Sequence, residues 1–591
     1  MIKRVLPGVV ATMVALSLGG CGSAPRTTRT RVTEPRPALA GSGEHLFDGR
    51  RGGTLIVYEP PELTTLDPGE VYDTYGEAVT IATQRPLFSY LPNQTEALAP
   101  DLAARPAIVS RDGRTVTVDL RPEVHFSPPV NREVTSADVA YAIERGANPN
   151  VANPYFSAYY DYIIGARQAT GGPIPGIATP DKYTIVFHLT GPYGTLFADA
   201  LSLPLTAPVP REFAGPLDQH KPTQYGSSYL AATGPYMIQT DAGGRFLGTG
   251  YKPGQSATLV RNPRWNPATD RRPAYLDRID IAIGGDPNVI GRQVLLGSHS
   301  VEQGPTSAPI VKLAYEHHHE QLVAVPGAGL YYVALDSKHG PFRSSALRKA
   351  LWAALDRRAM INAGGGPITG QLATHFIYPG TEGYAQAGGD PGPSADYNRF
   401  PSGNMTVAAR YIRAAGYPGG RYRGAARISV VGAASQPYAS VAEIVNQTLL
   451  NLGFTTKLAL FDQSVMLSKF CQIPAREVDV CPNVGWVRDF ADPETILDPT
   501  FAGYNIAATG TSNFGQVDDP DINAGMRAAE RLVNPAARAR AWAQIDRTLV
   551  ATAAAIPWEF IKNPLIRAPD VRGINDLWNA GFWDYSYASL D

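Results

Sequence analysis

Short apolar segments of two different periods alternate along most of the chain. Residues 116–120 and 182–189 alternate apolar and polar side chains at every second position, which predicts β-strands with one buried face, and the mostly apolar segment at residues 53–58 also predicts a strand. Residues 135–143 and 345–361 instead repeat apolar side chains every three or four positions, which predicts amphipathic helices. Because strands and helices alternate without an internal repeat, the sequence predicts an α/β fold.

Turn and cap residues mark the ends of several of these elements. Asp112-Gly113 separates two strand-like segments and predicts a β-hairpin. Thr135 and Asp138 have the spacing of a capping box at a helix start, and Gly453 ends the helical segment before it. The remaining predicted elements are helices at residues 78–88, 290–296, 406–415, 441–452, 522–532 and 536–551, and strands at residues 236–238, 276–283, 330–335, 428–431 and 455–460.

Residues 485–495 combine an aromatic side chain, an arginine and carboxylates directly after an apolar run. The run at residues 478–484 predicts a buried strand, and Asp492-Pro493 predicts a turn shortly after it. Trp486 and Asp489 would then lie where the chain leaves the interior, a common place for a ligand-contacting loop. The same residues also fit a purely structural Asp-Pro turn, and the pattern alone leaves both interpretations open.

Length, composition and charge limit the classes of protein to which the chain can belong. A chain of 591 residues exceeds one ordinary hydrophobic core, so we expect two or three lobes. Apolar residues make up 44% and charged residues 18% of the chain, which is typical of a globular protein. The net charge is -1 and the body has no long basic run, so nothing favours nucleic acid, whose phosphates need clustered Lys and Arg.

The first residues have the organisation of a secretion signal. A basic pair precedes an apolar run at residues 5–18, which is shorter than the ~20 residues that a transmembrane helix needs. Leu18-Gly19-Gly20-Cys21 resembles the lipobox of bacterial lipoproteins, in which the cysteine is acylated. We therefore expect a signal peptide at residues 1–20, lipidation of Cys21, a flexible tether at residues 21–50, and anchoring at the extracytoplasmic (periplasmic) face of the cell membrane. An ordinary cleaved signal with an incidental cysteine is the alternative.

Two further cysteines, Cys471 and Cys481, lie in the body of the chain. Outside the cytoplasmic membrane they can form a disulfide that closes a short loop before residues 485–495, and we favour this over two free thiols. No C-x-x-C pair and no Cys/His ligand set occurs, so the sequence suggests neither a structural zinc site nor a redox motif.

Eight short segments follow one another in an order that is more informative than any of them alone. They are Thr64-Thr65-Leu66-Asp67-Pro68, Arg111-Asp112-Gly113 with residues 114–122, Val134-Thr135-Ser136-Ala137-Asp138-Val139, Thr233-Gly234-Pro235-Tyr236, Arg261-Asn262-Pro263-Arg264-Trp265, Pro341-Phe342-Arg343 with Arg348-Lys349-Ala350-Leu351 and Asp356-Arg357, Ala414-Ala415-Gly416-Tyr417, and residues 486–493. In this order they resemble the peptide/nickel-type extracytoplasmic solute-binding proteins of ABC importers, family 5, from about Gly52 to the C-terminus. Two positions depart from the family pattern: Phe126-Ser127-Pro128-Pro129 replaces a His/Asp-Gly turn after the Phe, and Asp336 stands where Asn is frequent.

The resemblance implies a periplasmic-binding-protein-like, two-lobe α/β fold of the cluster C type, with an additional domain inserted in the first lobe. The first lobe would comprise residues 51–90, 233–325 and 561–591, the additional domain residues 91–232, and the second lobe residues 326–560. The chain would cross between the lobes near Val325-Pro326 and Pro557-Trp558, and these crossings would act as hinges.

The resemblance also implies that the protein captures oligopeptides in the cleft between the lobes and delivers them to the permease subunits and ATPases of an importer. In such relatives a carboxylate in the tryptophan-containing loop pairs with the α-amino group of the peptide, and Asp489 occupies that position. Trp486 and Phe490 would wall the pocket, while Arg488 would either compete for Asp489 or receive the peptide carboxylate. Asp492-Pro493 is interpreted as structural. We expect a monomeric binding subunit that needs no cofactor or metal and catalyses no reaction.

The alternatives are an enzyme, a metal-binding protein, a regulatory lipoprotein and a receptor for a non-peptide solute. An enzyme is disfavoured because no G-x-S-x-G, P-loop or H-E-x-x-H motif occurs, and Gly248-Thr249-Gly250 lacks the spacing of a dinucleotide site. Metal capture by His317-His318-His319 is disfavoured because adjacent histidines usually mark a solvated turn or edge. A regulatory lipoprotein on the same fold, or a non-peptide solute such as a glutathione-like molecule, stays open because fold does not fix function.

Overall fold

The computed structural model describes residues 46–61, 63, 65–92, 98–304, 306–577 and 582–591. The predicted signal peptide, the lipidation site Cys21 and the predicted tether up to residue 45 lie outside the described residues. Within the described part of the chain, no helix is both long enough and apolar enough to cross a membrane.

Strands and helices alternate along the described chain, as the hydrophobic pattern predicts. The strands are β1 Thr54–Glu59, β2 Phe88–Ser89, β3 Ala99–Pro100, β4 Ile108–Val109, β5 Thr115–Asp119, β6 Ile177–Asp181, β7 Thr184–His188, β8 Tyr236–Ile238, β9 Tyr251–Lys252, β10 Ser256–Arg261, β11 Arg278–Ile283, β12 Ser300–Glu302, β13 Leu322–Leu335, β14 Gly370–Leu372, β15 Arg427–Ala433, β16 Thr455–Phe461, β17 Val480–Val487, β18 Ala555–Ile566, β19 Val571–Arg572, β20 Asn575–Leu577, β21 Phe582–Asp584 and β22 Ser589–Leu590. The α-helices are α1 Thr74–Thr83, α2 Ser136–Gly146, α3 Gly194–Ala200, α4 Arg211–Ala214, α5 Pro287–Leu296, α6 Ala308–His317, α7 Ser345–Ala354, α8 Arg357–Gly364, α9 Tyr384–Ala387, α10 Met405–Ala414, α11 Tyr438–Leu452, α12 Gln463–Met466, α13 Glu494–Phe501, α14 Pro520–Ala529 and α15 Pro535–Thr552.

The first large sheet has the order β12-β1-β11-β10-β8, with β9 paired to β10. β1 runs parallel to β11 and β12, and the other pairs are antiparallel. Leu55 and Val57, alternate residues of β1, are fully buried and pack with Ile279 and Ile281 of β11 in what we call the first-sheet core. Alternate residues of β1 therefore face the core, although its apolar residues stand at successive positions in the sequence.

A second, antiparallel sheet of four strands has the order β4-β5-β7-β6. The hairpin predicted at residues 112–113 connects β4 to β5, and Gly113 adopts a φ of 68° there, which glycine tolerates best. Val118 and Phe187 are fully buried and pack with Ile143 of α2 in what we call the small-sheet core. The sheet thus carries its own hydrophobic core, separate from that of the first sheet.

The second large sheet has the order β14-β18-β13-β17-β15-β16. β13 pairs antiparallel with β17 and β18, whereas β15 runs parallel to β16 and β17. Leu330, Val430 and Val484 are buried in this sheet and pack with the helices around it, including Leu351 of α7 and Val445 of α11, in what we call the second-sheet core.

The long strands β13 and β18 run side by side from one large core to the other. At one end Val323 and Leu565 lie opposite each other and belong to the first-sheet core. At the other end Val333 and Ile556 lie opposite each other and belong to the second-sheet core. The pairing register shifts between Pro326 and Leu330, so the ladder is interrupted between the two cores. Both predicted chain crossings fall within these strands.

Two predicted helices differ from those in the structure. The helix predicted at residues 345–361 is broken at Leu355 into α7 and α8, because the side chain of Asp356 accepts a hydrogen bond from Ala359 N at 2.8 Å and starts a new helix. The helix predicted at residues 78–88 begins and ends earlier, as α1, because Asp73 caps its first turn through Gly76 N at 2.7 Å.

Local signals elsewhere agree with the structure. The backbone N–H of Thr135 donates to Asp138 Oδ2 at 2.8 Å, so the capping box predicted for α2 is confirmed. Gly453 ends α11 with a φ of 100°. A disulfide joins Cys471 to Cys481, with a Cα–Cα distance of 6.3 Å, and holds the start of β17 to the segment before it.

Candidate ligand-binding site

The segment that follows strand β17 packs into the small-sheet core. Residues 485–487, predicted to begin a loop, still belong to β17, where Trp486 pairs with Leu330 of β13. The loop therefore starts at Arg488, and we call residues 488–493 the crossing loop. Its Phe490 is fully buried within the small-sheet core, although β17 belongs to the second large sheet. Ala491 N–H donates to Tyr90 Oη at 3.1 Å and fixes the loop there.

Asp489 accepts a hydrogen bond from the hydroxyl of Tyr159, a residue of the small-sheet core. The carboxyl group is half-buried. Burial raises its pKa to about 7, because the charged form loses hydration, and the Tyr159 hydrogen bond offsets only part of that rise. Near pH 7 this group is therefore poised between its neutral and charged forms.

Aromatic rings surround Asp489 and form, with it and Glu77, what we call the tyrosine pocket. The ring centroids of Tyr72 and Tyr155 are 5.1 Å apart, those of Tyr155 and Tyr159 are 6.4 Å apart, and those of Tyr159 and Phe490 are 4.9 Å apart. Tyr155 Oη donates to Glu77 Oε1 at 3.0 Å. Tyr72 is 53% exposed, so the pocket opens to solvent on its side.

The tyrosines of the pocket interact electrostatically with its two carboxyl groups. Burial raises the pKa of the Tyr72 hydroxyl, and the negative charges of Asp489 and Glu77 raise it further. The same causes, burial first, raise the pKa of Tyr155. A pocket with two carboxyl groups and several electron-rich ring faces stabilises a cation, by charge-assisted hydrogen bonds and by cation–π contacts.

Trp486 and Arg488, which were also predicted around Asp489, make hydrogen bonds that hold neighbouring segments in place. Trp486 Nε1 donates to Thr495 O at 2.7 Å, which joins the end of β17 to the first turn of α13. Arg488 is buried, and its Nη1 donates to Gly380 O at 3.0 Å and to Thr381 Oγ1. These hydrogen bonds of Arg488 attach the crossing loop to residues 380–381.

Asp492 is held by the guanidinium of Arg538 on α15. Arg538 Nε and Nη2 lie 2.9 and 2.7 Å from Asp492 Oδ2, and both side chains are fully buried. Asp492 Oδ1 also accepts from Glu494 N at 2.8 Å at the start of α13. The structural interpretation of Asp492-Pro493 is therefore confirmed.

Sequence reasoning missed a second group of carboxyl groups beside the crossing loop. It comprises Asp199, Glu382, Glu494, Asp498 and Glu530, which we call the carboxyl cluster. Burial, together with repulsion from Asp492 or Asp498, raises the pKa of Glu382 and of Glu530 to about 7. No sequence spacing signals this cluster, because its members come from α3, the segment before α9, α13 and the end of α14.

Polar contacts on the far side of the cluster join the small-sheet region to the α14–α15 connection. Thr195 Oγ1 donates to Val533 O at 2.9 Å, and Arg531 Nε donates to Tyr193 Oη at 3.3 Å. These contacts and the insertion of Phe490 both join the small-sheet region to the second-sheet region.

The three adjacent histidines, at the end of α6 and just after it, belong to neither the tyrosine pocket nor the carboxyl cluster. His317 ends α6, and His318 Nδ1 lies 2.9 Å from Gln321 Oε1. Among the residues that the structure describes, no three or more His, Cys, Asp or Glu side chains are arranged to hold a metal ion.

Comparison with known proteins gives one family and several relatives. Residues 97–508 match the model of the family described as bacterial extracellular solute-binding proteins, family 5 middle. The chain is 26% identical to di/tripeptide-binding protein 4 of Pseudomonas aeruginosa, over 84% of this chain and 87% of the relative. It is 23% identical to heme-binding protein A of Haemophilus influenzae, over 74% of each chain, and 22% identical to glutathione-binding protein GsiB of Salmonella paratyphi A, over 82% and 85%.

Solved structures of the same fold cover almost the whole chain. Clavulanic acid biosynthesis oligopeptide binding protein 2 superimposes with a TM-score of 0.79 and 25% identity, over 94% of this chain and all (100%) of that chain. The periplasmic binding protein DppA from Helicobacter pylori, in complex with the peptide STSA, superimposes with a TM-score of 0.68 and 19% identity, over 92% and 98%.

Proposed function

The chain belongs to family 5 of the bacterial extracellular solute-binding proteins, and on that premise we propose that it captures peptides with a free α-amino group and delivers them to the membrane permease of an ABC importer. The family consists of extracytoplasmic binding proteins of ABC importers, not of enzymes, and the mixed α/β fold is that of its oligopeptide- and dipeptide-binding members. The proposal therefore concerns the ligand, its binding residue and the anchor.

The observation that carries the proposal is the position of Asp489 in the tyrosine pocket. A peptide α-ammonium that enters the pocket meets a carboxylate already oriented by the Tyr159 hydroxyl, with ring faces around it. The ammonium would lower the pKa of Asp489 and keep it charged, so the pair forms with proton release near pH 7. Closure of the crossing loop would exclude water from the pair and strengthen it.

The chemistry of the pocket also favours a peptide over heme, a ligand named among the relatives. Heme carries propionate groups, which two nearby carboxyl groups would repel. The peptide-binding relative matches 84% of the chain, and a peptide backbone can add hydrogen bonds to strands that border a cleft. Peptides with a free amino terminus are therefore the ligand class that we propose.

We further propose that the two long strands β13 and β18 form the hinge between two lobes. The first-sheet core and the second-sheet core would then be the two lobes, divided near residues 325–326 and 560–561, and residues 91–232 with the small-sheet core would be the additional domain of the first lobe. A ligand stabilises the closed form only through the contacts that it gains there.

The anchor is also a proposal. Lipidation of Cys21, after removal of residues 1–20, would hold the binding protein on the outer face of the cytoplasmic membrane beside its permease subunits and ATPases. Mass spectrometry of the mature N-terminus tests this directly: an unmodified residue other than Cys21 at the N-terminus would refute the anchor and leave the binding function untouched.

The binding function is tested by thermal shift of residues 46–591 against a pool of random tripeptides and the same pool with acetylated amino groups. A ligand at one hundred times its Kd stabilises the folded state by about 2.7 kcal/mol. A shift with the free-amino pool alone supports the proposal. A shift with both pools retains peptide binding but removes Asp489 from the site, and no shift with either pool refutes peptide capture.

A further inference from the structure

The carboxyl cluster contains more carboxyl groups than the buried cation beside them can pair. Asp492 adds a sixth carboxyl group to the five members, and the buried cation among them is Arg538. Its Nε and Nη2 donate to Asp492, and Nη1 donates to Ala529 O at 3.0 Å. The hydrogen bonds of Arg538 therefore go to Asp492 and Ala529 and not to the five members of the cluster.

Glu494 is the member of the carboxyl cluster with a buried oxygen that accepts no hydrogen bond from the described residues. Its side chain is 5% exposed, and Oε2 is buried without a hydrogen-bond donor. A buried carboxylate without a partner is costly, because it loses its hydration and gains nothing in return. Repulsion from Asp498, Asp492 and Glu530 adds to that cost. A donor that carries positive charge would relieve both effects.

The surrounding arginines do not supply this donor. Arg527 and Arg531 are exposed at the surface near α14. The guanidinium of Arg527 lies 4.4 Å from the ring centroid of Tyr504, and that of Arg531 lies 5.9 Å from the ring centroid of Tyr193. Asp498 is already satisfied, by the Tyr504 hydroxyl and by Asn505 Nδ2 at 2.6 Å. The buried oxygen without a donor is thus Oε2 of Glu494.

Two tyrosines form a wall beside the cluster. The ring centroids of Tyr162 and Tyr193 are 4.3 Å apart, and both side chains are half-buried. Burial raises the pKa of Tyr162, and the negative charges of Glu494, Glu530 and Asp498 raise it further. The ring faces and the carboxyl groups together match a flat guanidinium or an ammonium.

The cluster adjoins the tyrosine pocket. Both Asp489 and Glu494 act electrostatically on Tyr159, and they are five positions apart in the chain, which limits the distance between their Cα atoms to about 18 Å. One short peptide can therefore reach both groups, since an extended chain advances ~3.3 Å per residue and a basic side chain extends further.

We propose that Glu494, with Glu530 and Asp498 beside Tyr162, forms a second cation subsite, and that the preferred ligands are short peptides with a Lys or Arg side chain near their free amino terminus. The inference rests on the proposed peptide-binding function and specifies its ligand class. The α-ammonium binds Asp489, and the side-chain cation fills the place opposite Glu494 Oε2. A neutral peptide leaves Oε2 of Glu494 buried without a donor and binds more weakly.

Calorimetric titration of residues 46–591 with Ala-Ala-Ala, Ala-Lys-Ala, Lys-Ala-Ala and 1,5-diaminopentane tests the inference. We expect the better lysine tripeptide to bind at least about tenfold more tightly than Ala-Ala-Ala, because a desolvated charge pair is added. In Glu494→Gln this ratio of dissociation constants should fall toward one, whereas Glu443→Gln, an exposed carboxylate on α11, should keep it.

The outcomes separate the inference from the proposed function. Equal affinities for neutral and lysine tripeptides in the parent protein would overturn the second subsite while peptide capture stands. An absence of binding to every tripeptide would overturn the proposed function itself. Diamine binding as tight as that of the lysine tripeptides would overturn the peptide assignment in favour of a polyamine. Should Glu494→Gln fail to fold, Glu530→Gln, whose residue is half-buried, provides the same comparison.

Discussion

The hydroxyl of Tyr159 donates a hydrogen bond to the carboxylate of Asp489, although 330 residues separate them in the chain. Tyr159 belongs to the small-sheet core, whereas Asp489 follows a strand of the second large sheet. The bond therefore joins two separately packed regions through the group that we assign to the ligand. It orients the carboxylate before a peptide arrives, which lowers the cost of ordering it on binding.

Replacement of Asp489 should weaken the binding of free-amino peptides without unfolding the protein. Asp489→Asn retains the oxygen that accepts from Tyr159 but removes the charge, so we expect a loss of about 2–5 kcal/mol in binding free energy, as for one half of a desolvated charge pair. Calorimetric titration with a free-amino tripeptide measures the loss, and the melting temperature of the unliganded variant should stay near that of the parent. Unchanged affinity would remove Asp489 from the site.

Binding should depend on pH through Asp489. Its pKa is raised to about 7 in the unliganded protein, so below pH 7 the carboxyl group is mostly protonated and must release a proton before it pairs with an ammonium. Affinity should therefore fall as pH falls below 7, by up to about tenfold per pH unit, and should level off above 7 until the peptide amine, with a pKa of about 8, loses its own proton.

Titrations at pH 6 in buffers of different ionisation enthalpy measure the proton release. Asp489→Asn should abolish the part of the release that belongs to this residue. A neutral tripeptide suits this experiment, because Glu530 and Glu382, also with a pKa of about 7, would add their own release when a lysine peptide binds. Affinity that rises toward acid pH would contradict the assignment.

Phe490→Ala should affect closure more than folding. The ring is fully buried in the small-sheet core, and removal of a buried Phe side chain costs about 3–5 kcal/mol. If the lobes open when no ligand is bound, that cost falls on the closed form alone, so peptide affinity should decrease while the unliganded melting temperature changes little. Phe342→Ala, equally buried but within the second-sheet core, should show the reverse. A large drop in melting temperature for Phe490→Ala would mean that the crossing loop stays inserted without ligand.

The buried pair of Asp492 and Arg538 should contribute to stability rather than to ligand binding. Arg538→Met leaves the Asp492 carboxylate buried without its partner, so we expect a loss of about 3–5 kcal/mol in the free energy of unfolding. Urea denaturation measures this loss, with Arg540→Met, an exposed arginine of the same helix, as the control. The double variant Asp492→Leu/Arg538→Met should recover part of the loss, and equal stability of the two single arginine variants would show that the pair contributes nothing.

Sequence alone predicted the elements whose residues act locally. The alternation in β5, the capping box at Thr135 and the glycine after α11 each depend on a few neighbouring positions, and each is present in the structure. The helix predicted over residues 345–361 failed because a single competing cap, Asp356, outweighed the continuing apolar period. The spacing of apolar residues does not show whether a helix cap or a continuing apolar repeat will decide where a helix ends.

The site was predicted only in part. Asp489 is a candidate because a family motif places it, but Tyr72, Tyr155 and Tyr159 carry no signal, since aromatic residues are frequent and these come from distant segments. Arg488 was expected to compete for Asp489 or to receive the peptide carboxylate, and its hydrogen bonds to residues 380–381 had no sequence signal. The direction of a side chain just beyond a strand depends on the path of the loop, which the sequence does not specify.

With β13 and β18 as the proposed hinge, the protein would be suitable as a fluorescent reporter of its own ligand. The two strands run side by side and their ladder is interrupted between Pro326 and Leu330, so bending at that interruption would change distances across it and leave distances within each core constant. Leu296 at the end of α5 is 74% exposed, and Leu450 on α11 is 40% exposed. A donor dye at one position and an acceptor dye at the other would convert hinge bending into a change of energy transfer.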